Sequence, residues 1–254
     1  PAELFIQSLV ELAHVDGGWV PSDPEKSLYL RPFMFSTEVG LGVKPADEYQ
    51  YLLIASPAGA YFPRGVAPVS VWLTPDYVRA AVGGTGEAKC AGNYAASLIA
   101  QAEASLHGCD QVVWLDAKEH QWVEEMGGMN LFFVFGTGDA ARLVTPPLTG
   151  SLLPGVTRDS ILIMAHQDLG IPVSEEPISV EQWKKGCESG EISEVFACGT
   201  AAVITPVGEV KSRVGAWTVS DGGAGPITMR LRNALLSLQS GQSPDTHAWM
   251  FELA

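Results

Sequence analysis

Apolar residues recur at Leu4, Phe5, Leu9, Leu12 and Val15, a spacing that predicts a helix over residues 3–15. The pattern then changes. SLYLRPFMF (27–35) and YQYLLIASP (49–57) crowd aromatic and aliphatic residues into short runs, and both are expected to be strands. SPAGAYFPRGVAPVS (56–70) is dense in Gly, Pro and Ala and predicts a domain boundary. The chain is accordingly divided into residues 1–57, a linker over 58–68, and a large domain over 69–254. In the large domain VSVWL (69–73) is expected to be a strand. YAASLIAQAEASLHG (94–108) predicts a helix with Leu98, Ile99 and Ala102 on one face and Gly108 as its stop.

Hairpins follow. QVVWLD (111–116) and QWVEEMGG (121–128) flank the polar AKEH turn, and NLFFVFGTGDAARLVTPP (130–147) predicts two strands about a Gly-Thr-Gly-Asp turn. SEVFACGTAAVITPVGEV (193–210) predicts two more strands about a Cys-Gly-Thr-Ala corner. Residues 159–170, 179–190 and 227–241 are expected to be helices. Because the hairpins do not alternate with helices as βαβ units require, the fold class is α+β (mixed α/β) with an antiparallel or mixed sheet.

Composition narrows the function. With 46% hydrophobic and 17% charged residues in 254, the chain has enough apolar material for a sizeable core. A net charge of -14, with Lys184-Lys185 the only adjacent basic pair, argues against nucleic acid. Cys90, Cys109, Cys187 and Cys198 are far apart, with no CxxC spacing and no histidine at metal-ligand distance. They are expected to be free thiols in a reducing, cytoplasmic compartment, with no metal site. No apolar run is long enough to span a membrane and no signal peptide opens the chain, so no membrane partner is expected.

The chemistry concentrates around GGTGEAKCAGNYAASL (83–98), where Lys89 stands among small residues. A nucleotide loop is excluded by spacing, since Ala88 precedes and Cys90 follows the lysine. A half-buried lysine held neutral by desolvation is a covalent amine; a partly buried structural lysine is the alternative. Two further loops bear on the choice. LPGVTR (153–158) aims backbone N–H groups and a Thr hydroxyl at any anion at a helix start, and ACGTAA (197–202) offers a second Gly-Thr corner. Each alone reads equally as an ordinary cap. Together with one isolated lysine they suggest a phosphorylated aldehyde cofactor, pyridoxal phosphate. EEMGGMN (124–130) adds a carboxylate for the pyridine nitrogen. Strand alternation sends Glu124 and Glu125 to opposite faces, one expected to face the ring and the other solvent.

These strings, with GLGV, SPAGAYF, LVTPPLTGSLLPGVTRDS, EVFACGTAAVITPV and the closing HAWMF, resemble the branched-chain amino acid aminotransferases of the fold-type-IV pyridoxal-phosphate group, in unbroken order from about residue 27 to the end. The resemblance implies part of a small α/β domain followed by a large pseudo-barrel domain. It implies that Lys89 is the Schiff-base lysine and the acid/base of the proton shift. Tyr94 would hold the cofactor's phenolic oxygen and Glu125 its pyridine nitrogen. Val156, Thr157, Gly199 and Thr200 would hold its phosphate, with Arg79 near that phosphate. Tyr29, Arg31 and Tyr61 would line the substrate pocket, Arg31 as the candidate for the second carboxylate of glutamate or 2-oxoglutarate. Gly128 and Ala201 would offer backbone N–H groups to the α-carboxylate. Leu41 and Val43 lie in a loop that, in the family, reaches the neighbouring subunit's pocket, which implies a homodimer.

Two departures accompany the resemblance. The family carries an earlier half of its small domain, with another phosphate-binding arginine, and this chain starts after it. The cysteine pair that acts as a redox switch in some members is replaced by Ala202 and Thr205, so no such switch is expected. The activity implied is transamination of leucine, isoleucine or valine with 2-oxoglutarate. The rivals are a D-amino acid aminotransferase, an aminodeoxychorismate lyase, and a silent fragment that keeps only the large domain and dimer interface.

Overall fold

A computed structural model describes residues 1–23, 26–59 and 66–253. Tyr61 and the middle of the expected linker lie outside the described residues. The chain divides into two compact units, Pro1–Pro63 with Gln239–Ala254, and Arg64–Leu238. The C-terminal segment from Gln239, placed in the large domain on sequence, thus groups with the first unit.

The first unit holds helix α1 (Ala2–Asp16) and strands β1 (Ser27–Ser36) and β2 (Tyr49–Ala58). The two strands pair antiparallel over their full length, from Ser27↔Ala58 to Ser36↔Tyr49. Ser8 of α1 shares a 2.9 Å hydrogen bond with the Tyr51 hydroxyl of β2. The loop between the strands is closed by Lys44, which bonds Glu38 at 2.9 Å and Asp47 at 3.1 Å, and it leaves Leu41 and Val43 fully exposed. No described residue of α1, β1 or β2 is fully buried.

The second unit carries the core. Its elements are β3 (Val69–Leu73), α2 (Ala91–Ala95), α3 (Ser97–Leu106), β4 (Gln111–Leu115), β5 (Val123–Met126), β6 (Met129–Phe135), β7 (Arg142–Thr145) and α4 (Val156–Ile163). They continue with β8 (Val173–Glu175), α5 (Val180–Ser189), β9 (Ile192–Gly199), β10 (Val203–Ser212), β11 (Gly215–Thr218) and α6 (Pro226–Gln239). Strand β9 pairs both β6 and β10, and β10 pairs β3. The path β3-β4-β5-β6-β9-β10 therefore returns on itself as a closed six-stranded barrel, with β7, β8 and β11 attached outside it. The β10·β3, β3·β4 and β7·β8 pairings are parallel and the rest antiparallel, so the sheet is mixed.

Strand β6 is buried along all of its length, which explains the continuous apolar run LFFVF that follows Asn130. Phe132 stacks on Phe196 of β9 at 5.1 Å, while Phe133, pointing the other way, meets the edge of Trp183 of α5 at 5.2 Å. Each such ring contributes about 1.5–3 kcal/mol by burial. Ser179 caps α5 by accepting from the Gln182 N–H, and Gly190, at φ 78, ends it. The start of α6 is held by a strand residue. Buried Glu194 accepts from the N–H groups of Ile227 (3.0 Å) and Thr228 (2.7 Å), placing negative charge at a helix N-terminus.

Several boundaries differ from expectation. The helix expected over 94–108 is two helices meeting at Ala96, where the Ser97 hydroxyl bonds the Tyr94 carbonyl at 2.6 Å. Helix α4 begins at Val156 rather than Asp159, because extended Gly155 follows Pro154 and lets the helix open at once. Strands β8 and β11 were not expected; three and four residues are too few to show a period of two. Among the described residues, no helix is long and apolar enough to cross a membrane. The four cysteines are all free thiols.

Candidate active site

The β5–β6 hairpin is the frame of the site. Its turn is Gly127-Gly128, with Gly127 at φ 59, and Glu125 lies directly opposite Asn130 in the register. Gly128 lies close under the Tyr94 ring, where a Cβ would stand 3.1 Å from the ring and press it aside. Tyr94, on α2, is thereby set against the hairpin with 36% of its surface exposed. The Lys89 Nζ stands over the same ring, 5.1 Å from its centroid. Lys89 itself is exposed, not half-buried as the covalent reading anticipated.

Glu125 is 1% exposed and Glu124 7%. The expectation that one of the pair faces solvent is therefore corrected: both are buried, because the 149–153 segment covers the strand. Ser151 donates its hydroxyl to Glu124, and the Leu153 N–H donates to Glu125 at 2.6 Å. Arg79 closes the arrangement. Its Nε lies 3.2 Å from Glu125 Oε2, and its Nη2 donates to Glu125, to the Gly86 carbonyl at 3.1 Å and to the Ser151 carbonyl. Expected near a phosphate, the Arg79 guanidinium is taken up by Glu125 and two backbone carbonyls. Gly86 is wedged against Ser151, where a Cβ would fall 2.3 Å from its carbonyl oxygen.

Burial pushes the Glu125 carboxyl up to about 7, against the opposing pull of the Arg79 guanidinium and the Leu153 N–H. Glu124 is raised by burial as well, offset in part by the Ser151 hydroxyl. Between about pH 4.5 and 7 the folded chain binds the Glu125 proton that the unfolded chain has released. Stability of the cofactor-free chain is therefore expected to fall as pH rises through that window. Urea midpoints at about pH 5 and about pH 7.5 measure it, and Glu125→Gln is expected to flatten the slope.

Both amide corners adjoin the hairpin. Asn130 donates to the Leu153 carbonyl at 3.1 Å, and Gly155, the N-cap of α4, presses on the Asn130 side chain. No side chain caps α4, so the first-turn N–H groups at Val156 and Thr157 point outward with the positive end of the helix dipole. On the other flank Asn130 pairs with Cys198, and Gly199 lies against Met129, with a would-be Cβ 3.2 Å from its Cγ. Thr200 and Ala201 form the turn that follows. Val203, beyond it, is held at φ 56, a conformation costing a β-branched residue on the order of 1–3 kcal/mol.

The structure thus brings Lys89, Tyr94, Glu125, Gly128, Val156, Thr157, Gly199, Thr200 and Ala201 around one hairpin, with Arg79 behind Glu125. Tyr29 and Arg31 lie on β1 in the other unit. There the Arg31 guanidinium stacks on the Tyr29 ring at 4.9 Å and donates to its hydroxyl at 3.2 Å. Sequence reasoning assigned no role to Asn93, Asn130 or Ser151. Their signal was present only as polar residues inside runs of small or apolar ones.

An uncapped helix start, a second amide corner, an isolated amine and a buried carboxylate form a donor set that fits a phosphorylated aldehyde with a basic ring nitrogen. Comparison with known proteins points the same way. Residues 7–210 match the family described as amino-transferase class IV. The branched-chain-amino-acid aminotransferase of Mycolicibacterium smegmatis is 63% identical over 254 residues, which span all of this chain and 69% of that protein. The crystal structure of the Escherichia coli branched-chain amino acid aminotransferase superposes with a TM-score of 0.82 at 32% identity, covering 100% of this chain and 76% of that one. The T.th. branched-chain amino acid aminotransferase with pyridoxamine 5'-phosphate gives 0.79 at 30% identity, covering 97% and 74%.

Proposed function

Because the chain belongs to the amino-transferase class IV family, we propose that it transfers the amino group of leucine, isoleucine or valine to 2-oxoglutarate, and the reverse, with pyridoxal 5'-phosphate as cofactor. The observation that carries this reading is the convergence of an amine, a phenol, a buried carboxylate and two amide corners on the β5–β6 hairpin. When bound, the cofactor supplies an electron sink for the charge left at the substrate's α-carbon.

The roles of the chain's own residues follow from where they stand. Lys89 Nζ would be the amine that holds the cofactor's aldehyde and, when free, the base that takes the substrate's α-proton and the acid that returns it across the shared nitrogen, at the carbon that carried the aldehyde. Tyr94 orients the phenolic oxygen, and its place against Gly128 holds it beside Lys89. Glu125 holds the proton on the ring nitrogen. The N–H groups at Val156, Thr157, Gly199 and Thr200 bind phosphate, and those at Gly128 and Ala201 bind the α-carboxylate. Tyr29, Arg31 and Tyr61 are proposed as substrate contacts and Leu41 and Val43 as contacts of a homodimer. Sedimentation measures that dimer. A cytoplasmic location accords with four free thiols.

The test is an amino-donor screen with 2-oxoglutarate in protein supplied with cofactor. Glutamate formation from leucine, isoleucine and valine is expected. Formation from D-alanine alone, or pyruvate release from aminodeoxychorismate, would move the chain to one of the rival activities.

A further inference from the structure

Resting on the reading of Lys89 as the reacting amine, we propose that Asn93 is a positioning residue that sets Lys89 against Tyr94 by clamping the loop that carries the lysine. Asn93 is 5% exposed although its neighbours Gly92 and Tyr94 are open to solvent. Its side-chain amide uses all of its reach on that loop. The Nδ2 donates to the Thr85 carbonyl at 2.7 Å and to the Ala88 carbonyl at 3.0 Å, while Oδ1 accepts the Thr85 hydroxyl at 2.6 Å. Ala88 is the residue immediately before Lys89. Backbone bonds complete the turn, with Asn93 N–H on the Cys90 carbonyl at 3.2 Å and Cys90 N–H on the Ala88 carbonyl at 2.8 Å.

The consequence is geometric. Lys89 sits on irregular backbone between glycines, where nothing regular fixes its direction. Tyr94, one residue after Asn93, is fixed by the hairpin at Gly128. A side chain anchored on the tyrosine's own helix and bonded to both ends of the 85–88 loop converts that fixed point into a fixed lysine. An amide suits the task because it alone offers two donors and an acceptor at this length. Aspartate keeps the bond to the Thr85 hydroxyl but turns acceptors toward two carbonyls. Displacing an acid/base by about 1 Å costs on the order of 100-fold in rate.

The experiment reads the position of Lys89 directly, without activity. Lysines of the cofactor-free chain are labelled by reductive 13C-methylation, and the Lys89 signal is assigned by its loss in Lys89→Arg. The Tyr94 ring is expected to displace that signal upfield, an effect that disappears in Tyr94→Leu. Asn93→Asp is expected to lose most of the displacement while its circular dichroism remains that of a folded chain. With cofactor, its kcat is expected to fall about 10- to 100-fold with KM held within about threefold. Should Asn93→Asp fail to fold, Thr85→Val decides: the proposal expects a partial loss of displacement, because one of the three bonds is gone. An unchanged Lys89 signal in a folded Asn93→Asp chain, or in Thr85→Val where the first variant is unfolded, overturns it. Because the signal needs neither cofactor nor substrate, a wild-type chain that transaminates nothing sinks the functional reading and leaves this measurement standing.

Discussion

Lys89→Ala is expected to lower the transamination rate by at least about 10³-fold while changing folding stability by no more than about 1 kcal/mol. The two halves of that expectation come from the same geometry. Lys89 is exposed, lies in a loop, and its side chain stands over the Tyr94 ring at 5.1 Å, so truncation removes little that holds the fold. The same amine is proposed to do both the anchoring and the proton transfer, and no other lysine stands in the 83–98 segment to replace it. Initial rates with leucine and 2-oxoglutarate, set beside urea unfolding, test both. Borohydride reduction of the wild-type chain with pyridoxal 5'-phosphate is expected to leave a pyridoxyl group on the Lys89 peptide. Activity in Lys89→Ala within about tenfold of wild type, or labelling confined to other peptides, would remove Lys89 from the mechanism.

What sequence made legible, and what it hid, divides by the range of the interaction. The strands flanking AKEH and the Gly-Thr-Gly-Asp turn were readable because turn residues and apolar runs are local signals. Closure of the barrel was implied by the family resemblance but not by local pattern, since it depends on β9 finding both β6 and β10, the first of them across a long separation. The fates of Glu124 and Glu125 show the same limit. Alternation along a strand carries no information about what covers it; burial of both follows from the 149–153 segment, which bonds each carboxylate and comes 27 and 28 residues later. The surroundings of Arg79 were likewise hidden: its acceptors are Gly86, Glu125 and Ser151, drawn from three separate stretches. Lys89, by contrast, was conspicuous because a charge among glycines and alanines is a local anomaly.

Those three acceptors make Arg79→Met the substitution with the largest expected structural effect, a loss of about 3–5 kcal/mol measured by urea unfolding near pH 8. Arg79 and Glu125 are both buried, and the guanidinium is the strongest influence holding the Glu125 carboxyl down to about 7. Without it, burial drives that carboxyl higher, and two carbonyls are left without their donor. The sign gives a sharper test than the size. Above about pH 7 the variant must either bury an unpaired charge or keep a proton the solvent lacks, so its deficit is expected to grow with pH. Near about pH 5.5, where Glu125 is protonated in both proteins, the deficit is expected to shrink. Adding Glu125→Gln to Arg79→Met is expected to recover stability at about pH 8, because the uncompensated carboxylate is gone. Arg79→Lys is expected to restore charge but not the three-way grip, since one ammonium cannot reproduce the planar fork. A deficit equal at both pH values, and indifferent to Glu125→Gln, would mean that Arg79 acts on packing and not on the carboxylate it faces.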